Sequence, residues 1–160
     1  MRMLLALAVL ASVSAAPAPP AAPGLQGVWR AVEITYTGAS ARVVRDPQPG
    51  LLVFTQKHYS QVEITSDVPR IEPPDLSKAT ADELRGLWNP LRANAGEYDV
   101  SGDTFTKRAL VAKNESTMRG AANGGVYQFR VDGNTLWTTL VRDVKGSVRD
   151  PFTTKYTRLE

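Results

Sequence analysis

Apolar and polar residues alternate in short runs along most of this chain, and turn-forming residues separate the runs. In the run 126–131, for example, Tyr127, Phe129 and Val131 alternate with polar residues. A period of two residues is typical of a β-strand with one buried face. Eight strand-like runs bounded by turn residues are present, some alternating in this way and others rich in β-branched and aromatic residues, at residues 27–37, 51–55, 58–65, 96–100, 104–111, 126–131, 135–142 and 152–159. We therefore expect an all-β protein with eight strands.

One stretch has the pattern of a helix instead. Thr80 and Glu83 have the spacing of a capping box, in which each side chain accepts a hydrogen bond from the other residue's backbone amide. Three apolar residues then fall at i, i+3 and i+4 on one helix face: Leu84, Leu87 and Trp88. Pro90 should end the helix. We expect one short helix between the third and fourth predicted strands, covering an end of the β-structure either as a lid over a pocket or as a seal on the core.

The order of the strands favours a closed barrel. Eight consecutive strands joined mostly by hairpins suit an antiparallel up-and-down barrel, because closure removes the exposed edges of an open sheet. An eight-stranded barrel has room inside for packed side chains or for one small ligand. The competing architecture is a sandwich of two sheets.

The N-terminal residues have the pattern of an export signal. A charged start, an unbroken apolar run at 4–11 and small residues at 12–16 have the order of a secretory leader, with cleavage after Ala15 or after Ala16. Residues 16–24 are rich in proline and alanine, which favours an extended linker. We therefore expect a signal peptide at 1–15, a linker at 16–24, a barrel domain at 25–160 and a secreted or periplasmic product with no stable membrane insertion after cleavage.

Composition excludes several classes of chemistry. The chain has no cysteine, so disulfides and thiolate metal sites are excluded. A single histidine rules out a cluster of several histidines around a metal, and we expect neither metal nor cofactor. The net charge of +3 comes from 19 basic and 16 acidic residues. The basic residues are dispersed, whereas nucleic-acid-binding proteins cluster them, so we expect no nucleic-acid partner.

Two parts of the sequence resemble a known family. Gly27 and Trp29 match the G-x-W opening of lipocalins and related barrels, and Arg158 lies where such proteins place a basic residue on the last strand. The resemblance implies that Trp29 closes one end of the barrel, with Arg158 packed across its ring. Further segments resemble bacterial lipocalin-like domains of largely uncharacterised function: 51–55, 58–60, 93–98, 101–103, 112–114 with Met118, and 132–137. The chain differs from secreted eukaryotic lipocalins in lacking cysteine and in having its helix mid-chain.

Candidate ligand-binding residues lie on several predicted strands. They are His58, Tyr59, Arg108, Tyr127 and Trp137. Whichever face of the run 104–111 lies inside, a basic side chain falls there, at Lys107 or Arg108. A buried cation needs a partner, which an anionic ligand supplies. The aromatic residues are typical of a packed core and equally of a pocket lining.

The functional expectation is a carrier or sensor of a small, partly apolar molecule, monomeric and without catalysis. The first alternative is an isomerase-like or hydratase-like enzyme on the same barrel, with His58 or Tyr59 as acid or base. The second is a structural or interaction module whose core is fully packed. No nucleophile elbow, phosphate-binding loop or dinucleotide fingerprint is present in the sequence.

Overall fold

The computed structural model describes residues 24–119, 125–143 and 145–160. Within these ranges, one α-helix (α1) spans Ala81–Trp88, and short 3₁₀ turns span Gly38–Ser40, Leu76–Lys78 and Glu115–Thr117. Ten strands are numbered in chain order: β1 Gly27–Tyr36, β2 Arg42–Arg45, β3 Gly50–Phe54, β4 His58–Ile64, β5 Leu91–Ser101, β6 Thr104–Ala112, β7 Val126–Asp132, β8 Thr135–Asp143, β9 Gly146–Ser147 and β10 Phe152–Arg158. The all-β class is therefore confirmed.

Eight of the strands form a closed antiparallel barrel. Neighbouring strands pair in the order β1, β3, β4, β5, β6, β7, β8 and β10. The last strand, β10, pairs with both β8 and β1, so the sheet returns to its first strand. This closure confirms the barrel and rules out the alternative sandwich of two sheets.

Two strands were missed by the sequence pattern, and they change the count. The strand β2 pairs only with β1, and the two-residue β9 extends β8 as a hairpin. The helix was predicted to lie between the third and fourth strands, and this position was wrong. Because the unpredicted strand β2 precedes β3, the helix α1 follows the fourth strand, β4. The missed run is too short to show a convincing alternation, and three of its four residues lie on the surface.

The two ends of the barrel differ in their connections. Tight turns at 55–57, 102–103 and 133–134 lie at one end, where the backbone of Glu160 also bonds to Val28. We call this the closed end. The longer connections, at 37–49, 65–90, 113–125 and 144–151, leave the strands at the opposite, open end. Any opening into the barrel that the long segments form therefore lies at the open end.

The apolar core fills the closed half of the barrel. Trp29 is 0% exposed, and its indole nitrogen donates a hydrogen bond of 2.8 Å to the carbonyl of Leu25. Arg158 lies across the Trp29 ring, 4.0 Å from the ring centre, and its guanidinium donates to the carbonyls of Gly24 and Gln26. Other core side chains come from six further strands: Leu52, Phe54, Tyr59, Tyr98, Phe105, Leu136 and Tyr156.

Gly27 allows the chain ends to meet at the closed end. Its φ is +136°, a backbone conformation that side chains other than glycine rarely adopt. A Cβ atom at this position would lie 2.4 Å from the carbonyl oxygen of Glu160 and 2.5 Å from Nη1 of Arg158. Glycine is therefore required where the first and last strands close the barrel.

The helix forms as the sequence predicts, but it does not enter the barrel. The hydroxyl of Thr80 accepts from the Glu83 amide, and the Glu83 carboxylate accepts from the Thr80 amide, so the capping box is confirmed. The hydrogen bonds that the Glu83 carboxylate accepts from the amide and the hydroxyl of Thr80 lower the pKa of Glu83. None of the helix residues is buried, and Leu87 lines a groove on the outer wall. The helix thus neither seals the core nor lines the barrel interior.

The expected signal peptide and nearly all of the linker lie outside the described residues. Among the residues that are described, no helix has the length and apolar character needed to cross a membrane.

Candidate functional site

The open half of the barrel contains a polar cavity. Its volume is about 160 Å³, and strands on several sides of the barrel contribute to it. The polar side chains in its lining are Gln61, Arg92, Asn94, Lys107 and Thr117. The remaining lining consists of Tyr59, Ala109, Gly125, Tyr127, Leu140 and Phe152. The lining therefore combines apolar and aromatic side chains with hydrogen-bonding groups, which is typical of a small-molecule site.

Lys107 is the buried cation of this cavity. The residue is only 6% exposed, and its ammonium group donates a 2.6 Å hydrogen bond to Oε1 of Gln61. The same ammonium lies 4.3 Å from the ring centre of Tyr127 and 5.0 Å from that of Tyr59. Aromatic faces attract a cation, but they do not neutralise it.

A chain of hydrogen bonds runs from Lys107 toward the open end. Gln61 accepts from Lys107 and donates through Nε2 to Glu63, at 2.9 Å. Arg92 donates to the other carboxylate oxygen of Glu63, at 2.6 Å. Gln61 therefore links the cationic Lys107 to an ion pair that is already complete.

Two of the sequence-predicted residues lie in the cavity. Tyr59 is buried, and burial together with the nearby Tyr127 hydroxyl raises the pKa of Tyr59 to about 12. Tyr127 lines the cavity and stacks on Phe105 with the ring centres 5.1 Å apart. Because its pKa is raised, the Tyr59 hydroxyl is protonated near neutral pH and does not serve as a base there.

Three other predicted residues lie on the outer surface. His58 is exposed next to the turn at 55–57, so it is remote from the open end and does not line the cavity. Arg108 is paired outside the barrel with Asp99 and Glu97. Trp137 lies outside as well, with Arg130 stacked on its ring at 3.9 Å.

The sequence predicted that either Lys107 or Arg108 lies inside the barrel, and in the structure it is Lys107. The alternation of β6 places Phe105, Lys107 and Ala109 inside the barrel, whereas Arg108 points away. Phe105 could have indicated this from the sequence, since a fully buried phenylalanine shares the face of Lys107. Sequence reasoning missed Gln61, Glu63 and Arg92, because polar residues on a strand are normally assigned to solvent.

A larger groove lies on the outer wall. Its volume is about 670 Å³, and it runs between β3, β4, the segment 69–72 and the helix. Leu51, Val62 and Leu87 give it an apolar floor, while Arg70 donates to the carbonyl of Leu87. The groove is wide open, whereas the barrel cavity surrounds its contents with strands and holds a buried charge. We therefore take the cavity as the candidate site.

Comparison with protein-family models, with curated proteins and with solved structures found no match to this chain. The functional argument therefore depends on the geometry of the cavity.

Proposed function

We propose that this chain is an exported, lipocalin-like protein that carries or senses a small, partly apolar molecule inside its barrel. The observation that supports the proposal most is the cavity of about 160 Å³ in the open half, with apolar side chains and the buried Lys107 in one lining. This volume equals that of about five waters in the liquid, so the interior is not fully packed. Export is supported by the leader pattern of the first fifteen residues.

Neither candidate residue supplies the enzymatic alternative with a base in the cavity near neutral pH. His58 lies on the outer surface, and Tyr59 holds its proton too tightly to act as a base near neutral pH. A histidine mechanism within the cavity would need an imidazole there, and the sequence has no second histidine. Binding without chemistry is therefore the function that the cavity supports best.

A fragment titration followed by protein NMR tests the proposal. Small fragments, both neutral and anionic, are added to ¹⁵N,¹³C-labelled protein that begins at Leu25, the first residue of the predicted barrel domain. We expect at least one fragment to shift the signals of Ala109, Gly125 and Leu140, which surround the cavity. The variant Ala109→Leu should abolish these shifts, because the larger side chain fills the space that the fragment needs.

The control is Val111→Leu, which also introduces a leucine on the same strand, but at a residue that is 61% exposed. It should bind every fragment as the wild type does, and the thermal midpoints of both variants show that each is folded. Shifts that persist in Ala109→Leu, or that occur only around Leu51 and Val62 in the outer groove, would contradict the proposal.

A further inference from the structure

We propose that the cavity selects a monoanion, a carboxylate attached to one small ring, and that the ammonium group of Lys107 is its partner. This inference rests on the proposed function, since it names the class of ligand for the same cavity.

Lys107 has no carboxylate partner within the protein. No ion pair formed by the described residues includes it, and its one hydrogen-bond acceptor there is the neutral Oε1 of Gln61. The residues outside the described ranges contain no aspartate or glutamate at all. An ammonium ion on a residue that is only 6% exposed is costly unless an opposite charge accompanies it. The site therefore has an electrostatic preference for an anion.

The charge balance of the cavity specifies one negative charge. Glu63 is already matched by Arg92, at 2.6 Å, and also accepts from Gln61. With Lys107 and Arg92 positive and Glu63 negative, the site carries a net charge of +1. Tyr59 does not alter this sum near neutral pH, because burial raises its pKa to about 12. A monoanion would bring the net charge of the occupied cavity to zero.

The volume and the apolar wall define the rest of the ligand. A cavity of about 150 Å³ lined by apolar side chains admits a molecule such as benzene, and this cavity measures about 160 Å³. Ala109, Leu140 and Phe152 supply apolar surface in the same lining as the charged group. A long acyl chain exceeds this space, whereas one ring with one carboxylate fits it. Benzoate is therefore a suitable probe, and benzyl alcohol is its neutral counterpart.

Calorimetric titration compares these two probes in the wild type and in two variants. Lys107→Met removes the buried charge and keeps a similar volume, and its thermal midpoint shows that it is folded. Lys155→Met makes the same chemical change on the outer face, beside Trp137. We expect the wild type to bind benzoate at least about tenfold more tightly than benzyl alcohol. The reason is that the carboxylate of benzoate forms a charge-assisted hydrogen bond with the ammonium group of Lys107, which is stronger than a bond to a neutral hydroxyl.

We expect Lys107→Met to lose that preference while it still binds benzyl alcohol, and Lys155→Met to keep it. A wild type that prefers benzyl alcohol would overturn the anion inference and leave the proposed function standing. Equal loss of benzoate binding in both variants would also overturn it, since overall charge would then be the cause. Acetate bound as tightly as benzoate would overturn the role of the ring, and a wild type that binds none of the probes would count against both proposals.

Discussion

Lys107 and Arg108 are neighbours in sequence but lie on opposite faces of β6, and the face determines what each cation does. The Arg108 side chain is 46% exposed and pairs with Asp99 and Glu97, which raise its pKa. Exposed pairs of this kind contribute little to stability because water screens them. Among the described residues, the ammonium group of Lys107 contacts a neutral amide and two aromatic rings. Of the two, only Lys107 is placed to recognise a ligand inside the barrel.

Substitution of Trp29 tests the packing of the closed end. The Trp29 ring is 0% exposed, is covered by Arg158 and donates to the Leu25 carbonyl. We expect Trp29→Ala to lower the free energy of unfolding by about 3–5 kcal/mol, the usual effect of emptying a large core site. Urea denaturation measures the change. Trp88→Ala is the control, since Trp88 is 55% exposed; similar small effects of both substitutions would contradict the closed-end assignment.

The buried hydroxyl of Tyr59 should make the folded protein less stable at alkaline pH. Burial raises the pKa of this hydroxyl from 10.0 to about 12. Because the unfolded chain ionises first, the stabilisation from Tyr59 is complete below pH 10 and is lost as the pH rises through about 12. We expect the free energy of unfolding to fall less over this interval in Tyr59→Phe than in the wild type. Urea denaturation at several pH values measures it, and equal losses in the two proteins would show that Tyr59 is not buried in this way.

At the scale of elements, the sequence predicted the barrel strands well and their inner faces less well. Turn signals and β-branched or aromatic residues, together with alternation in some of the runs, located all eight. In β4, however, the polar Gln61 faces inward and the apolar Val62 outward, the reverse of the usual assignment. The interior of this barrel is polar at its open half, so hydrophobicity alone does not identify the inner face there. Tyr59 and Phe105, large and buried, are the better guides.

For the helix, the sequence predicted the local structure but not the position in the fold. Its start was predictable, because a capping box depends only on Thr80 and Glu83. Its location was not, because nothing in the sequence specifies which surface Leu87 contacts. In the structure that surface is the outer wall, where Leu51 and Val62 supply the apolar floor of the groove. Leu51 and Val62 remain 44% and 49% exposed there, so the helix does not bury them.

At the scale of the whole molecule, the two halves of the barrel have different roles. The closed half joins the chain ends, fills its interior with aromatic residues and needs Gly27 for the close approach to Glu160. The open half receives all the long connections and keeps a polar cavity around Lys107. Tight packing at one end thus allows the other to remain partly unfilled, and this separation supports the interpretation of the barrel as a container.

The central claim is that the interior of the barrel, and not the larger outer groove, is the ligand site. An isotope-filtered NOE experiment on ¹³C-labelled protein saturated with unlabelled benzoate locates the ligand directly. The account predicts NOEs from the benzoate ring protons to the methyl groups of Ala109 and Leu140, which line the cavity. NOEs only to Leu51 and Val62, in the outer groove, or none to the cavity methyls at saturation, would contradict it.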